Sequence, residues 1–296
     1  VSVIIPTYGH PDYLAKAIES VRKQTMSEWE LIIVDDNNPG TVHRQETEKV
    51  ASCFTNRDER IKYIKHDRNR NGAVARNTGF AVARGEYIAL LDSDDEYTPN
   101  RLEHCYNKIV AAPNTFAGVY TGCEFRKNGK TFKIIESVQS GCFLKETLAC
   151  HFQFCTGSNI FVRKCVVDEL GGFDPAFLRH QDYEFLVRLF RKYSLLGLSE
   201  VLVIKNNENF NRPDVQKLIS IKNQYLSKYK NIVDSLSKVD RDTIYFWNYI
   251  AIAEAAMAQN DFKLANKYYR EASNYRKITM KLWIRRISFP IYNLIK

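Results

Sequence analysis

Tyr87-Ile88-Ala89-Leu90-Leu91-Asp92-Ser93-Asp94-Asp95 ends an apolar run on three carboxylates. An apolar run bounded by an acidic turn reads as a buried strand, and ligands of an open α/β sheet bind outside the carboxyl ends of its strands. Hard divalent ions such as Mg2+ or Mn2+ take oxygen ligands and leave positions free for water and substrate phosphates. Asp92 and Asp94 are therefore candidate metal ligands facing a diphosphate. The plainer reading is an acidic turn that solvates a strand end and caps the next helix.

Outward from this stretch, apolar runs and helix-like periods alternate back to the first residue. Val1–Ile5 reads as a strand, Tyr13–Gln24 as a helix, Trp29–Val34 as a strand and Thr41–Cys53 as a helix. Ile61–Lys65, a small-residue helix at Ala73–Ala83 and the strand Tyr87–Leu91 continue the series. Such alternation predicts an α/β fold with a parallel sheet, and strands apolar on both faces expect helices on each side. After Pro99 a helix runs to about Ala112, followed by shorter strands at Ala117–Phe125, Thr131–Ile135 and Asn159–Val162, a helix at Gln181–Lys192 and a strand at Val201–Ile204. The expected catalytic body spans 1–212, and a helical extension follows over 213–296, where Leu218, Ile221, Tyr225, Tyr229 and Ile232 recur at helical spacing. Tyr249–Ala272 resembles one tetratricopeptide helix pair; a single pair has no repeat to stack on, so an antiparallel hairpin packed on the catalytic body is expected.

With 296 residues, 45% of them hydrophobic, the chain can bury one large core or two smaller ones. No apolar segment approaches the ~20 residues that cross a bilayer. Val1-Ser2-Val3-Ile4-Ile5 opens as a strand and not as a leader, so a cytoplasmic location is expected. The seven cysteines (Cys53, Cys105, Cys123, Cys142, Cys150, Cys155, Cys165) lack a Cys-x-x-Cys pair, which predicts reduced thiols with neither a zinc site nor a disulfide framework. Of the formal charge of +9, most lies between Lys263 and Lys296, where nine Lys/Arg face the single acid Glu271. A nucleic-acid-binding domain would carry such charge on its folded body, so no nucleic-acid partner is expected. Around Trp283, Arg285, Arg286, Ile287 and Phe289 the tail mixes apolar and cationic residues. It suits an anionic membrane surface at the inner face of the cell membrane, or else packs Trp283 and Ile287 on the protein.

Four blocks carry a family resemblance. They are Val3-Ile4-Ile5-Pro6-Thr7-Tyr8; Leu31-Ile32-Ile33-Val34-Asp35-Asp36; Asn71-Gly72-Ala73-Val74-Ala75-Arg76-Asn77-Thr78-Gly79 running on through Gly85-Glu86-Tyr87 to Asp92-Ser93-Asp94-Asp95; and Gly171-Gly172-Phe173-Asp174 followed by His180-Gln181-Asp182. In this order they resemble inverting glycosyltransferases of family 2, such as those of bacterial surface-polysaccharide synthesis, over about residues 1 to 210. The resemblance implies the GT-A fold, with a Rossmann-like nucleotide-sugar-binding half over 1–98 and an acceptor half over 99–212. It also implies a UDP-sugar donor, Mn2+ or Mg2+, and a glycan or lipid-linked oligosaccharide acceptor. No Gly-x-Gly-x-x-Gly or Gly-x-x-x-x-Gly-Lys loop is present, which counts against dinucleotide and ATP cradles.

Pro6, Thr7 and Tyr8 end the first strand where a planar base can lie against backbone. Asp36 ends the second, where it can accept from a base imide; the resemblance makes that base uracil. Edge packing for Tyr8 and a cap on the helix near Thr41 for Asp36 are the alternatives. Arg76 offers forked donors to phosphate or to Asp92 and Asp94. The resemblance implies Asp94 as the direct metal ligand and Asp92 as its support, with Ser93 between them on the donor side; Asp95 either holds a neighbour or caps the helix after Pro99. Asp182 is the expected catalytic base, with its alternative a cap on Tyr183–Lys192. The family usually carries Glu beside it, and Gln181 here removes one negative neighbour. Gly157, Ser158, Asn159 and His180 are candidate acceptor-side residues. Two rival functions stay open: a sugar nucleotidyltransferase, which would need a Gly-rich signature that Pro6-Thr7-Tyr8-Gly9 does not supply, and a catalytically silent glycan-binding or scaffold protein, which Gln181 keeps in view.

Overall fold

The computed structural model describes residues 1–136, 138–206 and 214–279. The elements in chain order are β1 (Ser2–Thr7), α1 (Pro11–Arg22), β2 (Glu30–Asp35), α2 (Val42–Thr55), β3 (Ile61–Lys65), α3 (Gly72–Val82), β4 (Tyr87–Leu90), β5 (Asp95–Tyr97), α4 (Arg101–Val110), β6 (Phe116–Lys127) and β7 (Lys130–Ile135). They continue as α5 (Leu144–Leu148), a 3-10 turn at Gly157–Asn159, β8 (Phe161–Arg163), α6 (Lys164–Leu170), α7 (Gln181–Phe190), β9 (Ser194–Asn206), α8 (Val215–Lys228), α9 (Lys230–Ser235), α10 (Lys238–Ala258) and α11 (Phe262–Ser273).

Among the described residues the strands form one sheet in the order β3-β2-β1-β4-β8-β6-β9-β5, with β7 paired to β6. The β3-β2-β1-β4 half is parallel, as the alternating pattern requires. Beyond β4 the polarity changes, because β8 runs antiparallel to both β4 and β6. The acidic turn leaves the sheet beside this change, which is the crevice where α/β sheets bind ligands. β1 shows why the strands bury both faces. Val3 and Ile5 join Leu14, Ile18 and Val21 of α1 in one core, while Ile4 points the other way, into α3. At Gly79 a side chain would bring its Cβ within 2.5 Å of Ile4 Cγ2, so only glycine lets α3 lie this close to the strand.

Two expectations are corrected here. Cys123, on β6, and Cys155, just before the 3-10 turn, form a disulfide with their Cα atoms 6.4 Å apart, so reduced thiols throughout do not hold. Their 32-residue separation carries no spacing signal; sheet pairing brings them together. Asp95 does not cap the helix after Pro99. It opens β5, and Asn100 stands at the N-cap of α4.

The described residues divide into two compact units, one from 1–136, 138–142 and 153–206, the other from 143–152 and 214–279. In the second, α10 and α11 bury Ile252, Ala253, Ala256, Ala265, Tyr269 and Ala272 against one another as a helical hairpin. Segment 143–152 joins it through Tyr225 Oη, which donates to the Thr147 carbonyl at 2.9 Å, and Asn248 Nδ2, which donates to the Leu148 carbonyl at 3.0 Å. No composition change marks this excursion. The boundary placed at 212 and the Leu282–Tyr292 tail lie outside the described residues. Among the described residues no helix is long and apolar enough to cross a membrane.

Candidate active site

A tight turn builds the acidic centre. The Asp95 amide donates to the Asp92 carbonyl at 3.0 Å, folding Ser93 and Asp94 across the end of β4. Oxygen atoms of Asp92, Asp94 and Asp95 then lie within 4.8 Å of one another, the arrangement a hard divalent cation needs. Asp95 is fully buried and Asp92, Ser93 and Asp94 are half-buried. Asp92 bonds Arg76 Nη2 at 2.6 Å. Burial works against its charge, but Arg76 and Lys205 outweigh it and hold its carboxyl below the usual range. Burial pushes Asp94 up against the pull of Lys205, with Asp92 adding to the rise. For Asp95, burial prevails over Lys205 and is reinforced by Asp94 and Asp92, giving a value of about 7. Carboxylates crowded like this favour a cation in their midst.

Arg76 joins the two halves of the site. α3 presents it, and Asn71 caps that helix by accepting from the Ala73 and Val74 amides at 2.9 and 3.2 Å. Its Nη1 donates to Gln181 Oε1 at 3.0 Å. Gln181 Nε2 in turn donates to the Phe177 carbonyl at 2.8 Å, a bond an ionised Glu cannot make. Gln181 is thus built into the site. Asp182 follows in the first turn of α7 and accepts from the Tyr183 amide at 2.9 Å. Burial raises its pKa, opposed by that amide and by Arg76 and supported by Asp92. Gly171 and Gly172, both at positive φ, bring the preceding loop onto α3. There Asn77 bonds both the amide and the carbonyl of Phe173 at 2.8 Å, and a Cβ at Gly172 would fall 2.5 Å from Asn77 Oδ1.

At the end of β1, Pro6 is half-buried, Thr7 is buried and Tyr8 lies 57% exposed, its ring free for a stacking partner. Thr7 Oγ1 is buried with no hydrogen-bond partner among the described residues. Asp36 does not cap α2, since Thr41 accepts from the Arg44 amide there. Its Oδ1 instead takes His66 Nδ1 at 2.7 Å and the Arg70 amide at 2.8 Å, and Oδ2 takes Asn69 Nδ2 at 3.0 Å. The lone-pair capacity left on Oδ2 is what a base imide would use.

Gly157 lies beside the centre, where a Cβ would stand 3.7 Å from Asp92 Oδ2. Ser158 and Asn159 are fully buried. Ser158 Oγ donates to Asp95 Oδ2 at 2.6 Å and accepts from the Asp92 amide at 2.9 Å, so its hydroxyl serves the acids. His180 is half-buried at the N-cap of α7, its ring 5.7 Å from that of Tyr183.

Three further residues escaped sequence reasoning. Lys205 on β9 lies 3.5 Å from Asp95 Oδ2, and its pKa is raised because the three aspartates outweigh its burial. Thr156 Oγ1 lies 3.2 Å from the same oxygen. Arg101, fully buried on α4, donates to Thr121 Oγ1 at 2.9 Å, Asn159 Oδ1 at 3.1 Å and the Ser158 carbonyl at 3.2 Å. Arg101→Met should strip the 3-10 turn of these bonds and lower stability by about 2–3 kcal/mol, read as a lower denaturation midpoint with an unchanged slope. An unchanged midpoint would show that the turn holds itself.

Residues 2–171 match the family model described as Glycosyl transferase family 2. An uncharacterized glycosyltransferase of Methanocaldococcus jannaschii is 30% identical over 264 residues, covering 83% of each chain. TuaG of Bacillus subtilis, named for teichuronic acid biosynthesis, is 42% identical over 103 residues, 35% of this chain and 39% of that protein. The chain spans only 22% of the length of an uncharacterized glycosyltransferase of Rickettsia conorii, 37% identical over 143 residues, or 48% of this chain. Among solved structures, Staphylococcus aureus TarS 1–349 in complex with UDP-GlcNAc aligns at TM-score 0.58 and 14% identity over 92% of this chain and 90% of that one. The mannosyltransferase PcManGT of Pyrobaculum calidifontis in complex with GDP-Man and Mn2+ aligns at 0.59 and 15% identity over 100% of this chain and 86% of that one.

Proposed function

The chain belongs to glycosyl transferase family 2 and shares the GT-A fold of its structural neighbours, and from that premise we propose that it moves a sugar from a UDP-sugar to a glycan or lipid-linked acceptor with inversion, in surface-polysaccharide synthesis. The observation that carries this reading is the joining of the acidic centre to Asp182 through Arg76 and Gln181. Asp94 would hold the cation with Asp92 in support. When bound, that ion neutralises charge on the departing diphosphate. Tyr8, Thr7 and the free capacity of Asp36 would receive the base and ribose, and Arg76 would hold Asp92 in register.

On the acceptor side Asp182 takes the proton of the attacking hydroxyl. The new bond forms between that oxygen and the anomeric carbon as the bond to phosphate breaks on the opposite face. A carboxylate whose pKa is raised by burial is a stronger base than an exposed one, and such general-base help is worth roughly a hundred- to ten-thousand-fold. Gly157 and His180 would flank the acceptor. Lys263, Lys267, Arg270, Arg276 and Lys277 are exposed on and after α11 and continue into the basic tail. We assign this run to an anionic membrane surface that presents the acceptor.

The test is release of nucleoside diphosphate from a panel of UDP-sugars, with GDP-mannose included, in Mn2+ or in EDTA. Metal-dependent UDP release is the expected result. Release of GDP alone would overturn the donor, and full turnover in EDTA would overturn the metal.

A further inference from the structure

Besides Arg76, a second protein cation, Lys205, stands at the acidic centre. Lys205 is the register partner of Asp95 across the β5–β9 pair. Its Nζ lies 3.5 Å from Asp95 Oδ2 and 3.4 Å from Thr156 Oγ1, while its backbone is pinned by the next residue. Asn206 donates from its amide to Asp95 Oδ1 at 3.2 Å and from Nδ2 to the Asp94 carbonyl at 2.9 Å. The lysine root is therefore fixed, while its ammonium sits at the end of a four-carbon stem of rotatable bonds that is 25% exposed. Arg76 is held between Asp92 and Gln181.

We propose that Lys205 is a resident counter-cation of the metal site, turning from the carboxylates to the phosphate oxygens when a metal–diphosphate donor arrives. This rests on the metal-dependent reading above. With Arg76 and Lys205 both in place, the three carboxyl groups are left with at most one uncompensated negative charge. A bare divalent ion must then enter against an adjacent ammonium. An ion that carries its diphosphate gives that ammonium new partners, and a lysine is suited to phosphate as a mobile point charge. The site thereby prefers metal and nucleotide together over metal alone.

The test measures Mn2+ binding to the nucleotide-free protein through the paramagnetic resonance of free Mn2+, and UDP binding in saturating Mn2+ by calorimetry. Lys205→Gln should bind Mn2+ alone about tenfold more tightly, from the loss of one nearby positive charge, and UDP with Mn2+ about tenfold more weakly. Lys205→Met, which keeps the stem, should do the same and serves if the first variant does not fold. Lys205→Arg keeps the charge and should stay near wild type in Mn2+ alone. Unchanged or weaker Mn2+ binding in the neutral variants, or unchanged or tighter UDP binding, overturns the proposal. Wild-type turnover in EDTA is read separately and strikes the metal-dependent reading itself.

Discussion

Asp182→Asn should leave binding of the UDP-sugar within about twofold of wild type and lower turnover roughly a hundred- to ten-thousand-fold. The amide keeps the shape of the carboxylate and can still accept from the Tyr183 amide, so α7 keeps its first turn. On the proposed reading, what is lost is the site that takes the acceptor's proton. The signature is a fall in kcat with the donor KM held, because on the proposed reading the donor is held on the Asp92–Asp94 side of Arg76 and not by Asp182. A fully active variant would move the base elsewhere. Loss of donor binding together with turnover would instead mean that Asp182 supports the Arg76–Gln181 link.

Asp94→Asn should act on the other limb, lowering kcat/KM by about a thousandfold, the order expected when several kcal/mol of charge stabilisation on a leaving diphosphate are lost. Mn2+-dependent UDP binding should weaken in parallel, which separates this variant from Asp182→Asn. Asp94 is half-buried and burial already pushes its carboxyl up, so a neutral side chain costs the fold little. Unchanged metal-dependent UDP binding would transfer the ligand role to Asp92 or Asp95.

The parallel half of the sheet was legible because its strands are continuous apolar runs punctuated by Gly, Asn and Asp. Ile61–Lys65 was placed to the residue, and β1, β2 and β4 within two residues at either end. β9 was not legible: only Val201–Ile204 was seen of a strand spanning Ser194–Asn206. Gly197, Ser199 and Glu200 interrupt its alternation, and its register against β6 shifts in three places. Lys205 was lost with it. Arg101 was invisible for another reason, since nothing local says that a helical arginine is turned wholly inward onto neutral oxygens. The Asp92–Asp95 turn, Arg76 and Asp182 are marked by local motifs; the residues that hold them come from strands and loops far along the chain.

The last bonds at the acidic turn reach a long way back. Asn206 meets Asp95 across 111 residues of chain. As the polypeptide is made from its N-terminus, three mutually repelling carboxylates emerge long before the strand that brings their lysine. Pairing across so large a loop is slow, so β9 is expected to reach the acids after the local β1–β4 units have formed. The centre is completed only by β9, and a chain ending short of Lys205 lacks both that ammonium and the Asn206 bonds to Asp95 and to the Asp94 carbonyl. The acidic turn thus reaches its final form only when both ends of a 111-residue stretch of chain are present.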